Sequence, residues 1–302
     1  MVRPARFGFN PQTAASNRFQ REAQQYSSST TQALAEFSAL HDALRAAGVR
    51  TCVIEDTPEP AKPDAVFPNN WVSFHADGTI VLYPMYAANR RDERRADVLA
   101  AVEAQLLFSR RRLLDLSAEE SRGRYLEGTG SLVLDPTQAV VYACRSARTH
   151  ESLVHEWARA MHYQAEVFDA VDADGQALYH TNVMLAIGSS FALICSEAIA
   201  PQDRQRVLAR LEAPGRELIE VSMAAMFAFA CNALELRAQT PVAPGSSVLV
   251  MSSKARAAFD ASQWAQLSAC VDRIIDVAIP TIEAQGGGGV RCMLTEVPAS
   301  PA

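Results

Sequence analysis

The feature that most limits how this chain can fold is a repeat. Its apolar runs recur in one order, at a spacing of about 50 to 60 residues: a strand opening on polar or glycine residues, a tight turn, a more apolar strand, then a helix. The first full unit reads as a strand over 64–74, a turn at Asp77-Gly78, a strand over 79–83 and a charged helix from near Arg91. The second runs 126–134, turns at Asp135-Pro136 into 139–144 and continues to a helix over 151–161. The third is 179–186, then Gly188-Ser189-Ser190, 191–195 and a helix over 202–211; the fourth is 229–236, 247–252 and a helix over 255–267. A fifth joins the two ends of the chain, with a strand over 290–297 completed by a helix near 34–47 and a strand over 49–55. Alternating strands and helices predict an α/β fold, and the fixed period predicts modules around an axis. Hairpin turns predict antiparallel pairs inside each module, which argues against a parallel nucleotide-binding sheet.

Composition narrows the functional classes. With 302 residues, 49% of them hydrophobic, the chain can bury a large core, and no linker divides it, so one domain over 1–302 is expected. The longest polar low-complexity stretch, 24–32, runs straight into the first helical pattern and reads as a loop with its helix cap. A net charge of −6, with the basic clusters at 90–95 and 110–112 beside acidic neighbours, gives no nucleic-acid surface. No apolar run approaches the roughly 20 residues of a membrane span, and the first residues lead into no signal-peptide core, so no membrane partner and a cytoplasmic location are expected. Six cysteines without paired spacing predict reduced thiols and no metal site.

Chemistry-bearing residues fall at one phase of the repeat. If the modules are equivalent, the starts of their first strands share a mouth, which gathers Asp64, Asn69, Asn70, Glu127, His180, Asn182 and Cys292. Cys292 follows four glycines, Gly286 to Gly289, which let backbone approach a ligand closely. A thiol, an imidazole and a carboxylate form a nucleophile, its base and the base's partner: His180 could take the thiol proton and return it to a leaving amine, while Glu127 stabilises the imidazolium. Each residue alone also fits a structural role. Their recurrence at one position is what carries the reading.

Three segments, Leu126-Glu127-Gly128-Thr129-Gly130-Ser131, His180-Thr181-Asn182 and Gly287-Gly288-Gly289-Val290-Arg291-Cys292-Met293, resemble the motifs of the guanidino-group-modifying (pentein) superfamily. The likeness is nearest to its arginine deiminase-related, citrulline-utilisation hydrolase branch and extends to Phe7-Gly8-Phe9-Asn10 and to Asp64-Ala65-Val66-Phe67-Pro68-Asn69-Asn70-Trp71. The resemblance implies a five-bladed pseudo-symmetric α/β propeller of ββαβ modules. It also implies Cys292 as nucleophile, His180 as general acid/base and Glu127 as its partner, with no metal or organic cofactor.

The departures point to the substrate. Arginine deiminases carry aspartate where Asn70 and Asn182 stand, and those carboxylates grip the guanidinium. Without them a buried cation is poorly paired, whereas asparagine can donate to a carbonyl and accept from an N–H, which fits the neutral ureido head of citrulline. Asp64 leaves one carboxylate nearby. The expected partner is therefore a small amino acid with a ureido or guanidino head, bound at its α-carboxylate by Arg148 first, then by Arg91 or Arg291; a homo-oligomer is compatible with this. The alternatives are a guanidine hydrolase (arginine deiminase or dimethylarginine hydrolase), an amidinotransferase, and a non-catalytic ribosome-binding factor of the same ring fold.

Overall fold

The computed structural model describes residues 1–22, 29–239 and 244–298. It opens on β1 (Val2–Arg3), the single turn α1 (Pro11–Ala14), the long helix α2 (Ser29–Ala46) and β2 (Ile54–Glu55). Four units of one topology follow. The first holds β3 (Val72–Phe74), β4 (Thr79–Leu82), α3 (Ala96–Leu106) and β5 (Arg112–Asp115). The short α4 (Gly128–Ser131) leads into the second: β6 (Val133–Asp135), β7 (Val140–Cys144), α5 (Glu151–Met161) and β8 (Gln164–Phe168). The third is β9 (Leu185–Ile187), β10 (Phe191–Ile194), α6 (Pro201–Glu212) and β11 (Glu217–Glu220). After α7 (Met223–Phe227), the fourth runs β12 (Leu234–Arg237), β13 (Ser247–Ser252), α8 (Ser253–Ala257), α9 (Ala261–Ala269) and β14 (Arg273–Val277).

In every unit the first two strands pair antiparallel, and the helix returns the chain so that the third strand pairs parallel with the middle one. β1 and β2 pair parallel and make a fifth, two-stranded sheet. The molecule is thus a mixed α/β fold of five small sheets among the described residues.

Local sequence explains the helices. In α5 the buried residues Leu153, Val154, Trp157, Ala158 and Met161 make one apolar stripe. Pro201 at the first position of α6 supplies a preset φ where its missing N–H costs nothing. Asp260 forms a reciprocal capping box with Gln263, which splits the helix expected over 255–267 into α8 and α9.

The first strands differ from expectation. They are shorter and start later, because the motif residues wind into a turn of helix before each strand: 3-10 turns at Pro68–Asn70 and Thr181–Val183, and the α-turn α4. The strand expected over 290–297 is a 3-10 turn at Val290–Met293, and that expected over 49–55 is reduced to β2. In a strand neighbouring side chains alternate faces, whereas a helical turn lets adjacent ones converge on one point. The polar stretch read as a loop and cap at 24–32 falls mostly on 23–28, outside the described residues; its last residues belong to α2.

Packing links the units in sequence order. β6 lies against β9 and β9 against β12, α4 packs on β3 and on the Pro68–Asn70 turn, and the Val290–Met293 turn packs on that same turn. The two ends of the chain share one apolar cluster, in which Phe7, Phe37 and Phe67 meet Val290 and Met293. That cluster fixes the turn bearing Cys292. No described helix is long and apolar enough to cross a membrane.

Candidate active site

Two glycines set the distances between the motif turns. Gly128 has φ +49°, and a Cβ there would lie 2.1 Å from the Asn69 carbonyl oxygen. At Gly130 a Cβ would lie 2.6 Å from His180 Nδ1 and 2.7 Å from Asn70 Nδ2, so the imidazole rests directly on backbone. Ser131 Oγ accepts from the Glu127 amide and donates to the Arg148 carbonyl, and Thr181 Oγ1 donates to the Ser131 carbonyl. The Glu127 and His180 motifs are thereby tied together.

Glu127 and His180 are both buried, and His180 Nε2 lies 2.9 Å from Glu127 Oε2. The Tyr86 amide donates to Glu127 Oε1 at 3.0 Å, and Arg148 Nη1 stands 3.4 Å from Oε2. Burial alone would raise the Glu127 carboxyl, but Arg148, His180 and Arg90 outweigh it and hold it well below the ordinary carboxylate range. Burial brings His180 down to about 4, with Glu127 opposing and Arg148 and Arg90 adding to the fall. The ring is therefore neutral at pH 7. Since the carboxylate can only accept, Nε2 carries the hydrogen and Nδ1 keeps its lone pair.

Cys292 is buried, with Asn232 Nδ2 at 3.3 Å and Asn182 Nδ2 at 3.6 Å from Sγ. Burial pushes the thiol up, against the pull of Asn232, Arg291 and Asn182. At rest the nucleophile candidate and its base are thus both uncharged. Cys292 and His180 line one small cavity, with room for little more than a water molecule. Two larger cavities, of about 680 and 710 Å³, are lined by none of Glu127, His180 and Cys292, although Asn182 and Arg291 border the first; the small cavity is the one that brings the thiol and the imidazole together.

The same cavity brings in Asp64, Asn70, Arg90, Arg148 and Tyr179. Asn70 Oδ1 accepts from Arg90 Nη1 at 2.8 Å, and Arg90 is held by two 2.9 Å bonds to Glu93. Asp64 Oδ2 accepts from Asn10 Nδ2 at 2.7 Å and from Thr13 Oγ1 at 3.2 Å, and burial raises its carboxyl against Arg90. Arg148 stacks over the Tyr179 ring at 5.0 Å and donates to the Thr13 carbonyl and Ser16 Oγ. Among buried side-chain atoms, Asp64 Oδ1, Asn70 Nδ2, Asn182 Oδ1 and both polar atoms of Asn69 have no partner. Asn69 meets Gly128 and Thr129 through its backbone oxygen.

Arg91, which the sequence placed near the mouth, is elsewhere: it pairs with Glu120 and the Met85 carbonyl. Arg291 likewise turns to Leu294 and Glu296. The cation that sequence reasoning missed is Arg90, one residue from Arg91. Asn232 was missed too, as were the polar residues of the 10–20 segment that cover the site. Asn10-Pro11 is a readable helix start, since Asn10 caps α1 with its side chain; nothing else in the segment announces a lid. Asn17 Nδ2 donates to the Gly287 carbonyl and Gln20 Nε2 to the Gln285 carbonyl, closing that segment onto the glycine run, and Tyr179 Oη donates to the same Gly287 carbonyl. No group of His, Cys, Asp and Glu suited to a metal ion occurs among the described residues.

Known structures share the fold. The chain superposes on apo ArgZ, an arginine dihydrolase from the ornithine–ammonia cycle in cyanobacteria, with a TM-score of 0.73 and 18% identity, over 100% of this chain and 41% of that longer one. The N-terminal domain of ArgZ bound to substrate matches with a TM-score of 0.70 at 18% identity, covering 97% of this chain and 95% of that one. A dimethylarginine dimethylaminohydrolase adduct with 4-chloro-2-hydroxymethylpyridine matches with a TM-score of 0.62 at 14% identity, covering 97% and 96%. No curated protein matches the sequence. The family described as N,N dimethylarginine dimethylhydrolase, eukaryotic, matches residues 3–299, and the chain belongs to that family of the pentein guanidino-group-modifying hydrolases.

Proposed function

We propose that this chain is a thiol-dependent hydrolase of a C–N bond in a ureido group, converting citrulline to ornithine, carbon dioxide and ammonia through a covalent intermediate on Cys292. The observation that carries this reading is the polarity of the unpartnered buried atoms. Arg90 occupies Asn70 Oδ1, so Asn70 offers a donor; Asn182 turns its nitrogen to Sγ, so it offers an acceptor; Asp64 Oδ1 is a second acceptor. A ureido group has a carbonyl oxygen for the donor and N–H groups for the acceptors. A guanidinium has donors only, and would set one against Asn70 Nδ2.

The steps follow from the resting protonation states. As the sulfur bonds to the ureido carbon, its proton passes to His180 Nδ1, and the Glu127 carboxylate stabilises the imidazolium. Collapse breaks one C–N bond while His180 gives that proton to the leaving nitrogen, and a carbamoyl group stays on sulfur. Water then adds to the carbonyl carbon, giving a proton to His180, and the C–S bond breaks as that proton returns to sulfur. The released carbamate decomposes to carbon dioxide and an amine. One water is consumed overall. Arg148 is proposed for the substrate α-carboxylate; Arg91, paired with Glu120, takes no part. The five sheets are proposed as blades of one ring, a single catalytic unit over 1–302, which the packing of β6 on β9, β9 on β12 and the C-terminal turn on the Pro68–Asn70 turn supports.

A second reading is arginine hydrolysis by the same thiol, and it is favoured by Asp64, a carboxylate beside the head-group pocket, and by the likeness to arginine dihydrolases. The test is kcat/KM for citrulline, arginine and dimethylarginine, with mass spectrometry of protein quenched during turnover. Ornithine from citrulline as the preferred reaction supports the ureido assignment. Preference for any guanidine refutes it and leaves the Cys292, His180 and Glu127 chemistry intact.

A further inference from the structure

We propose that Asn232 is a positioning residue that aims the Cys292 sulfur and holds its charge once the thiol proton has left; this rests on Cys292 being the nucleophile. Asn232 ends the turn before β12, at the place in the fourth unit that Asn70 and Asn182 hold in the first and third, and it is fully buried. Its Nδ2 has two hydrogens and two acceptors within reach, Cys292 Sγ at 3.3 Å and the Asn182 carbonyl oxygen at 3.1 Å. A flipped amide would set Oδ1 against that carbonyl oxygen, so the orientation is fixed and the group facing sulfur through Nδ2 is a donor. Oδ1 fits only because residue 289 is glycine: a Cβ there would lie 2.6 Å away.

The surroundings leave this task to amides. His180 shares the cavity but makes no hydrogen bond with Sγ in the resting protein, and the guanidinium of Arg291 is engaged with Leu294 and Glu296. Asp64, Arg90, Arg148 and Tyr179 also face the cavity. The two side-chain donors directly at sulfur are Asn232 Nδ2 and, farther off, Asn182 Nδ2 at 3.6 Å. Among the influences that oppose burial in setting the thiol's acidity, Asn232 is the largest. Hydrogen bonds to a charged acceptor are about twice as strong as neutral ones, so this donor acts mainly on the thiolate.

The experiment is the pH profile of iodoacetamide alkylation, with the label located by peptide mass spectrometry, in wild type, Asn232→Ala and Asn232→Asp. Cys292→Ser serves as the control for the underlying reading. Losing the donor should raise the midpoint of alkylation at Cys292 by about one pH unit in Asn232→Ala. Asn232→Asp, which keeps the volume but turns a carboxylate towards sulfur, should raise it further. In both, kcat should fall at least about tenfold while KM stays within about threefold. Midpoints equal to wild type in folded variants overturn the proposal, and if the alanine variant unfolds, the aspartate variant decides alone. Turnover by Cys292→Ser, or labelling of another cysteine first, defeats the nucleophile assignment instead.

Discussion

Glu127→Gln tests the coupling of charge and hydrogen bonding at the centre of the site. The carboxylate faces donors through both oxygens: the Tyr86 amide at 3.0 Å on one, and His180 Nε2 at 2.9 Å with Arg148 Nη1 at 3.4 Å on the other. Glutamine has a single oxygen. In either orientation its amide sets N–H against N–H, so the Tyr86 amide loses its acceptor or His180 loses the bond that keeps Nδ1 free. A buried unsatisfied donor costs about 1–3 kcal/mol, and removing one partner of a buried ion pair costs about 3–5 kcal/mol. We expect a loss of roughly 3 kcal/mol in urea unfolding. Because the imidazolium also loses its counter-charge, kcat should drop about 10³- to 10⁴-fold, as when a triad carboxylate is neutralised. Steady-state ornithine release and equilibrium unfolding measure the two effects. A folded variant retaining kcat within tenfold of wild type would mean that Glu127 only supports the turn, and would remove it from the mechanism.

The remaining expectations concern nucleophile, packing, protonation and specificity. Cys292→Ser should abolish turnover with thermal stability nearly unchanged, since the exchange is almost isosteric; appreciable turnover removes Cys292 from the reaction. Gly130→Ala should cut kcat at least about 100-fold, because its methyl would overlap the His180 ring at 2.6 Å and displace the base; wild-type kcat refutes the close approach. His180 and His75 are both buried and brought to about 4, so the unfolded chain binds those protons first, and stability should fall as pH drops from about 6.5 to 4, by up to about 3 kcal/mol for each. Glu127, held low by Arg148, His180 and Arg90, contributes stability that is present above 4.5 and lost as pH falls further; flat stability between pH 7 and 5 contradicts the buried neutral histidines. Asn70→Asp with Asn182→Asp should move kcat/KM towards arginine by about one or two powers of ten, and an unchanged ratio of arginine to citrulline rates disproves the role given to the asparagines.

The sequence exposed the repeat because each unit buries its middle strand and one helix stripe, and both leave an apolar period. It concealed the turns on which the chemistry sits. Residues such as Asn70 and Asn182 read as strand because they lie beside apolar residues, yet their backbone turns helical, and no period of two or 3.6 marks a single turn. Arg90 and Arg91 are indistinguishable by composition; only the pitch of the 3-10 turn Ala88–Glu93 sends Arg90 inward to Glu93 and Asn70, and Arg91 outward to Glu120. The β1–β2 pairing escaped notice for a different reason. Two residues per strand are too few to show alternation, so that sheet is legible only once α2 has brought its strands together.

Burial explains why the site needs so many groups for one proton transfer. The burial that shapes the cavity keeps Cys292 protonated and His180 neutral at rest. In the proposed mechanism charge separation there becomes affordable only where opposite charge and donors are already in place: Glu127 for the imidazolium, Asn232 and Asn182 for the sulfur. The 10–20 segment also lies against the glycine run, where Asn17 donates to the Gly287 carbonyl. Under the proposed ureido reading, a neutral head brings no unpaired charge into a cavity where Asp64, its Oδ1 unpartnered, stands 3.7 Å from Arg90 through Oδ2. A guanidinium would have to be desolvated against that same Arg90, and this electrostatic asymmetry, more than the shape of the pocket, is what the substrate comparison measures.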